Sequence, residues 1–491
     1  MGYIIVLVLY FIMMFVMGIF FGKKNKSEED YFLAKDKLPA AVIGFSFSAT
    51  QMSGSTYMGA IGTRRTTGIP YVPCGVSSAS APWFCYILVG DRIRRLNARV
   101  ECLTMAEIFE KRYGKIAGLA AAIIMLICSV PTVTSQFTAA GGAFETILGI
   151  PYLTAIFIFG GIVVAYTIIG GMFAVAWTDL IQGALMILGF VILCPMTIIK
   201  AGGFSNIFHT YAQFNPGGIA FATRSKPLIW MISGFLVWGF FQIGGQPAAV
   251  TRFLTTTDDK TMKKALFYST AFQCLIYLFG SLIALGSVIL IPTIEKADMI
   301  IPTLCKEYLP AAIGGVVIAA ALGAMMSTVD SVILMCSSLF VHNILGKGFG
   351  VKKEKTLSFW GRAIVVIVGS LGLLLAIDPP DTILWIITTG FSIMAAAFTF
   401  PLLAALWWPR ATEVGGIAGI IGGGAAALFW YVLSYVKNGS LSNFVGGWWP
   451  AIVGSIVSLV LVVAVSLATK PSDDETLELF YGEGCIDNKA E

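Results

Sequence analysis

Long apolar runs separated by short polar breaks dominate the chain. Each run approaches the roughly 20 residues that a helix needs to cross a bilayer. Reading the runs and their breakers predicts about thirteen spans, at 3–22, 40–63, 68–90, 116–146, 151–171, 173–199, 228–253, 262–294, 309–343, 357–377, 380–407, 414–436 and 447–468. The pattern is that of an all-α polytopic membrane protein. The junction at Gly170-Gly171 is so short that its flanking helices must be adjacent and antiparallel, and Pro379-Pro380 marks another sharp start.

Two spans depart from the pattern. The second reads Ser46-Phe47-Ser48-Ala49-Thr50-Gln51-Met52-Ser53-Gly54-Ser55-Thr56 at the depth where a helix should be apolar. The seventh reads Trp238-Gly239-Phe240-Phe241-Gln242-Ile243-Gly244-Gly245-Gln246-Pro247, where adjacent glycines and a proline withdraw helical support. Two interrupted spans five helices apart point to a transporter built from inverted repeats that binds solute and ions at the breaks. Gly/Pro kinks relieved by neighbouring helices are the bland alternative.

Composition agrees with a membrane protein: 57% of the 491 residues are hydrophobic and 12% charged, and the mean hydropathy is +0.84. The 53 glycines suit close helix packing in lipid. Nine scattered cysteines without a Cys-x-x-Cys pair suggest neither a disulfide framework nor a metal site, and two histidines, His209 and His342, leave little for zinc or haem. The run from Tyr3 to Phe21 lacks a basic leader and a small-residue cleavage site, so it reads as a retained span. With the N-terminus outside, successive inside loops hold 5, 7, 0, 4, 5 and 1 basic residues and the tail 2, so 24 of the 32 lie inside. The Arg92, Arg94, Arg95 and Arg99 cluster reads as part of that topology signal. The chain is thus expected in the cell membrane, N-terminus outside and C-terminus cytoplasmic, with the acidic stretch 471–491 as a solvated cytoplasmic tail. The small net charge of +5 gives no reason to expect nucleic acid, and no obligate protein partner is evident.

Ala324, Ser327, Thr328 and Ser331 recur at helical spacing, so one face of the ninth span carries hydroxyls. Hydroxyl and carbonyl oxygens are the hard ligands an alkali cation prefers, and an unwound second span exposes carbonyls to complete the shell. Bonding of each hydroxyl back to its own helix is the alternative. Asp179 and Asp330 fall in apolar surroundings where an ionisable group costs roughly 2.5–3.5 kcal/mol. With no Lys or Arg at similar depth nearby in sequence, a bound cation or a proton is the expected partner. Gln51, Ser53, Ser55, Thr56, Gln136, Trp238, Gln242 and Gln246 are candidates for solute contact, with helix-to-helix bonding as their alternative role.

These residues also carry a family resemblance. Tyr166-Thr167, Gly170-Gly171, Ala174-Val175, Trp177-Thr178-Asp179 and Gln182, with Gln246-Pro247, Ala324-Met325-Met326-Ser327-Thr328 and Glu29-Asp30-Tyr31-Phe32-Leu33-Ala34, resemble the sodium/solute symporter family from the first span to about residue 470. The resemblance implies a LeuT-type fold in one transporter domain, 1–470. An extra first helix (3–22) would precede two inverted five-helix repeats (40–199 and 228–407), with two trailing helices (414–468) after them. It implies Na+ as coupling ion at a main site made by the carbonyls of Ala49, Met52 and Ala324 with the hydroxyls of Ser327 and Thr328. A second ion site, found in some members, would comprise Asp179, Thr328, Asp330 and Ser331, although Asp330 replaces the family's serine. A second sodium, a proton or no second ion all fit.

On substrate the motifs divide. Phe144-Glu145-Thr146, Gly149-Ile150-Pro151-Tyr152 and Ile300-Ile301-Pro302-Thr303-Leu304 resemble sodium/pantothenate symporters, whereas Met52-Ser53-Gly54 and Gly245-Gln246-Pro247 resemble sodium/proline symporters. Gln51 stands where the proline carriers have an acid, and Gly142-Ala143-Phe144 lacks the arginine that both groups place after Gly-Ala. The implied function is sodium-coupled import of a small organic acid, vitamin or amino acid by alternating access. Proton coupling on the same fold, a transporter-like sensor and a channel are the competing classes. No nucleophile, base and orienter recur together, so an enzyme is not expected.

Overall fold

The computed structural model describes residues 1–22, 34, 36–100, 102–220, 222 and 226–482. The Glu29–Leu33 part of the family motif, Arg224 and the last residues of the tail lie outside that set. Every described element is a helix or helical turn. Ten helices among the described residues are long and apolar enough to cross a membrane. One of them, Tyr152–Lys200, is two spans: Gly171 adopts φ +63°, and Tyr166 bonds Thr178 at 2.5 Å, although residues twelve apart lie about 18 Å apart on a straight helix. The chain therefore turns back there, as the double glycine predicts. With the interrupted second and seventh spans, this gives the thirteen expected from the apolar runs.

Both expected breaks are present. The second span is helical over Ala40–Gln51, ends at Met52 (φ −88°, ψ 74°) and resumes through a wide turn, Ser55–Gly59, into Ala60–Thr67. The seventh runs Leu228–Trp238, breaks at Gly239, and continues as the short turns Gln242–Gly245, Pro247–Val250 and Thr251–Leu254. Backbone groups can leave the helical ladder at this depth because both breaks face protein rather than lipid.

Glycines set how closely the spans approach. A Cβ on Gly44 would lie 2.3 Å from the carbonyl oxygen of Ala265 in the eighth span, Asp259–Leu290. That atom belongs to backbone and cannot swing aside, so Gly44→Ala is expected to cost about 1–3 kcal/mol through overpacking. A lowered melting temperature of the purified variant checks this; an unchanged one shows that the two spans can separate freely.

Two features were not legible in the apolar pattern. Residues 474–481 of the tail form a helix, Asp474–Tyr481, whose Leu477 is buried and whose Tyr481 hydroxyl donates to Ala405 O at 2.8 Å. Arg112 donates to Ser472 Oγ at 2.8 Å and to Ala411 O at 2.7 Å. This part of the tail is docked rather than solvated, a correction that follows from one apolar face on an otherwise acidic segment. Two of the four arginines of the Arg92–Arg99 cluster are likewise packed: Arg92 stacks 3.6 Å from the Trp407 ring centroid, and Arg94 donates to Thr257 O at 2.6 Å, while Arg95 and Arg99 stay exposed.

Asp298, in the loop between the eighth and ninth spans, accepts from the backbone N–H of Ile383 at 3.0 Å and so caps the start of the eleventh span, Ile383–Trp407. Burial pushes its carboxyl up to about 6 from an ordinary 3.8, with nearby Asp381 adding to the rise. A raised pKa means that the docked loop holds the proton more tightly than the open chain. The cost of burying the ionised carboxyl, which the Ile383 hydrogen bond only partly offsets, is therefore absent below about pH 4 and sets in as pH rises to about 6, so stability falls across that window. Asp298→Asn is expected to flatten the dependence of melting temperature on pH across that window, and a variant that keeps the wild-type slope would disprove the assignment.

Candidate ion and solute site

The break in the second span lies against the hydroxyl face of the ninth, Ala311–Ser338. Ser327 Oγ donates to Ala49 O at 2.9 Å and approaches Ala324 O at 3.2 Å. Thr328 Oγ1 approaches Thr50 O at 3.3 Å and Ala324 O at 3.1 Å. Four of the five expected main-site residues thus meet in one buried cluster; the fifth, Met52, is buried with non-helical backbone at the end of the Ala40–Gln51 helix, and its carbonyl takes no hydrogen bond from the cluster among the described residues. Carbonyl and hydroxyl oxygens alone make up this donor set, which suits a hard monovalent cation.

The expected second ion site does not assemble as one group. Asp179 accepts from Ser46 Oγ at 2.6 Å, and Arg252 Nη2 lies 3.8 Å from the same carboxylate oxygen. Arg252 also donates from Nε to Ser46 Oγ at 3.1 Å and from Nη2 to Thr50 Oγ1 at 3.0 Å and Ser331 Oγ at 2.8 Å. The guanidinium, 3% exposed, is the cation between the sixth-span acid and the ninth-span serine. This corrects the expectation that no basic side chain reaches Asp179. Asp330 turns elsewhere, accepting from Thr167 Oγ1 at 2.6 Å, while Thr328 belongs to the main cluster.

The solute candidates divide in the same way. Gln51, Ser53 and Gln246 line a small cavity of about 40 Å³ together with Thr50, Thr328 and Phe391, and Gln246 Oε1 has no hydrogen-bond partner among the described residues. The rest of the lining is neutral, and no ionisable side chain contributes to it. Gln51 is also the middle of an amide chain: Gln273 Nε2 donates to its Oε1 at 2.5 Å, and its own Nε2 donates to Gln242 Oε1. Gln242 in turn donates to Trp238 O at 2.9 Å, and Trp238 packs on Phe391 with ring centroids 4.9 Å apart. Gln136 Oε1 accepts from Gly54 N at 2.7 Å, and Ser53 bonds Ser55 at 2.7 Å. Gln136 and Ser55 therefore hold the break in shape from outside the cavity, and Gln242 and Trp238 reach it only through Gln51 and Phe391. Thr56 lies one turn further along and does not line the cavity.

No site role was legible in the sequence for Arg252 or Gln273, and Ser46 and Thr167 stood out only as part of the broken span and of the family motif. Arg252 falls at the edge of the seventh span close to Lys260, Lys263 and Lys264, so it reads as one more loop cation. The available signal was its position five residues after Pro247, too close to the break to reach a loop.

A bilayer-spanning bundle in which a broken helix faces a hydroxyl stripe, with a neutral cavity beside the break, defines an ion-coupled secondary transporter. The comparisons with known proteins agree. The profile of the Sodium:solute symporter family matches residues 31–423, and the chain belongs to that family. It is 28% identical over 428 residues to a sodium/pantothenate symporter of Haemophilus influenzae, covering 86% of this chain and 88% of that one. It is 29% identical over 476 residues to the high-affinity proline transporter PutP of Bacillus subtilis, covering 95% and 98%. Among solved structures, a Na+-coupled sialic acid symporter superposes with a TM-score of 0.81 at 22% identity, covering 96% of this chain and 99% of that one, which shows the LeuT-type fold. The chain is thus a sodium-coupled symporter in the membrane, not an enzyme.

Proposed function

We propose that the protein imports a small organic acid or amino acid together with a single sodium ion, entering from the side on which the N-terminus lies. The observation that carries this reading is the meeting of Ala49 O, Ala324 O, Ser327 Oγ and Thr328 Oγ1 across the second and ninth spans. Sodium bound there turns the hydroxyl lone pairs inward and ties the break in the second span to the ninth, shaping the cavity that takes solute. Rocking of the repeats then exposes both to the opposite side. The neutral lining leaves a substrate carboxylate to be met by peptide groups at the breaks and by the adjacent ion. The pantothenate and proline carriers among the relatives both move small carboxylates, in keeping with that class.

Arg252 supports a count of one ion. It already supplies a positive charge to Asp179 and uses the hydroxyls of Ser46, Thr50 and Ser331, which a second sodium would need. One sodium crossing about 100 mV with a tenfold gradient provides about 3.7 kcal/mol, enough for about 500-fold accumulation of a zwitterionic amino acid, whereas a monoanion would cancel the electrical part and be left with about tenfold. Thermal stabilisation of the purified protein by pantothenate, proline and related carboxylates in sodium and in potassium is the experiment that tests the function. Stabilisation that needs sodium identifies the substrate and supports the reading. Stabilisation indifferent to the cation would overturn sodium coupling at this site. Uptake into proteoliposomes that rises with sodium at a Hill coefficient of 1 supports the single ion, and a coefficient near 2 would overturn it.

A further inference from the structure

Arg64 belongs to neither the ion cluster nor the solute cavity. It lies in the second half of the second span, 3% exposed, and its Nε and Nη2 have no hydrogen-bond partner. No carboxylate pairs with it among the described residues. Its neighbour Arg65 shows what a satisfied arginine looks like here, donating to the oxygens of Ser287, Ile291 and Pro292. Arg64 is instead held by rings, 5.0 Å from the Tyr277 centroid and 5.7 Å from that of Tyr71. Room is left for it: a Cβ on Gly75 would lie 3.0 Å from Nη2 and one on Gly280 3.2 Å from Nη1. Two spans thus make space for a charge that no described carboxylate neutralises, and a buried ion without a counter-charge is not a stable end state.

The guanidinium lines a groove of about 530 Å³ between the start of the third span and the eighth. Val76, Ala79 and Leu278 make its walls apolar, and Thr270, whose hydroxyl also has no partner among the described residues, joins its lining. Val76 and Leu278 are 59% and 56% exposed, so the groove opens sideways toward the bilayer. Along the eighth span its lining runs from Thr270 to Ser281, about 16 Å at 1.5 Å per residue.

We propose that this groove binds an anionic phospholipid from the surrounding bilayer, its phosphate against Arg64 and one acyl chain along Val76, Ala79 and Leu278. The unpaired cation calls for a net anion, and the long apolar walls call for a chain attached to it. A zwitterionic lipid brings its own ammonium and leaves the charge balance unchanged, while free phosphate makes no use of the walls. The bound lipid lies next to the transport machinery. Tyr277, under the guanidinium, donates to Ser78 Oγ at 2.7 Å, and Ser78 accepts from Gln242 Nε2 at 3.3 Å, the end of the amide chain that reaches Gln51.

Native mass spectrometry of the full chain, delipidated and then titrated with phosphatidylglycerol, phosphatidylcholine or sodium phosphate, tests the proposal. The wild type is expected to hold one phosphatidylglycerol at about tenfold lower concentration than phosphatidylcholine. Arg64→Gln should remove that preference, and Ala79→Trp, which fills the groove but keeps the charge, should remove the lipid altogether. If Arg64→Gln does not fold, the tryptophan variant decides. Equal retention of the two lipids by the wild type, a preference that survives in the variants that fold, or competition by phosphate alone at the same concentration would overturn the proposal.

Discussion

Replacing Arg252 with Gln is expected to destabilise the protein by about 3–5 kcal/mol in potassium and to let a second sodium ion take part in transport. The first effect follows from burial: Asp179 is fully enclosed, and removing the guanidinium leaves its charge without compensation. The second follows from what remains. Asp179, Ser46, Thr50 and Ser331 would face one another as one carboxylate and three hydroxyls, a donor set of hard oxygens that suits sodium. Sodium should then recover much of the lost stability in the variant, by mass action on the folded state. Its Hill coefficient in uptake should move from 1 toward 2. Asp179→Asn should also destabilise but gain nothing from sodium, because it leaves a buried guanidinium that no cation can rescue, and the double variant should be milder than either single change. A stable Arg252→Gln protein with unchanged sodium dependence would show that the guanidinium neither neutralises Asp179 nor keeps an ion out.

What could be read from the chain beforehand divides along one physical line. Spans, breaks and the hydroxyl face are local patterns of hydropathy and helical period, so Gly171, the Met52 break and the Ser327–Thr328 stripe fall where the sequence places them. The partner of Asp179 was not legible, because it comes from 73 residues away along the chain, on a short turn that only the second break brings inward. Gln51 illustrates the same limit. Its depth and polarity mark it as functional, but only the fold shows that Gln273 and Gln242 engage both ends of its amide. The tail helix escaped because its apolar face, Leu477 with Phe480 and Tyr481, spans little more than one turn at the end of an acidic segment. Local periodicity finds the framework, then, and long-range charge pairing has to be found in three dimensions.

Ser327→Ala is expected to weaken apparent sodium affinity by about 10–150-fold while leaving the fold intact. Ser327 Oγ stands between Ala49 O on the broken span and Ala324 O on its own helix, so it is the hydroxyl that joins the two halves of the cluster. An oxygen ligand to a charged group contributes about 1.5–3 kcal/mol, and each 1.4 kcal/mol is a factor of ten. The loss should appear in the sodium concentration for half-maximal uptake, with partial recovery at high sodium, because the remaining carbonyls and Thr328 still form most of a shell. Solute affinity should fall with it at low sodium and return at high sodium, since the ion shapes the break that lines the cavity. Ser337→Ala, on the same helix as Ser327, is the matched control: the Ser337 hydroxyl donates to Gly361 O at 2.9 Å on the tenth span, Glu354–Ala376, and faces no ion ligand. It should lower stability slightly and leave sodium dependence alone. Equal effects of the two substitutions would mean that the ninth span matters for packing only, and wild-type sodium dependence in Ser327→Ala would remove the ion from this cluster.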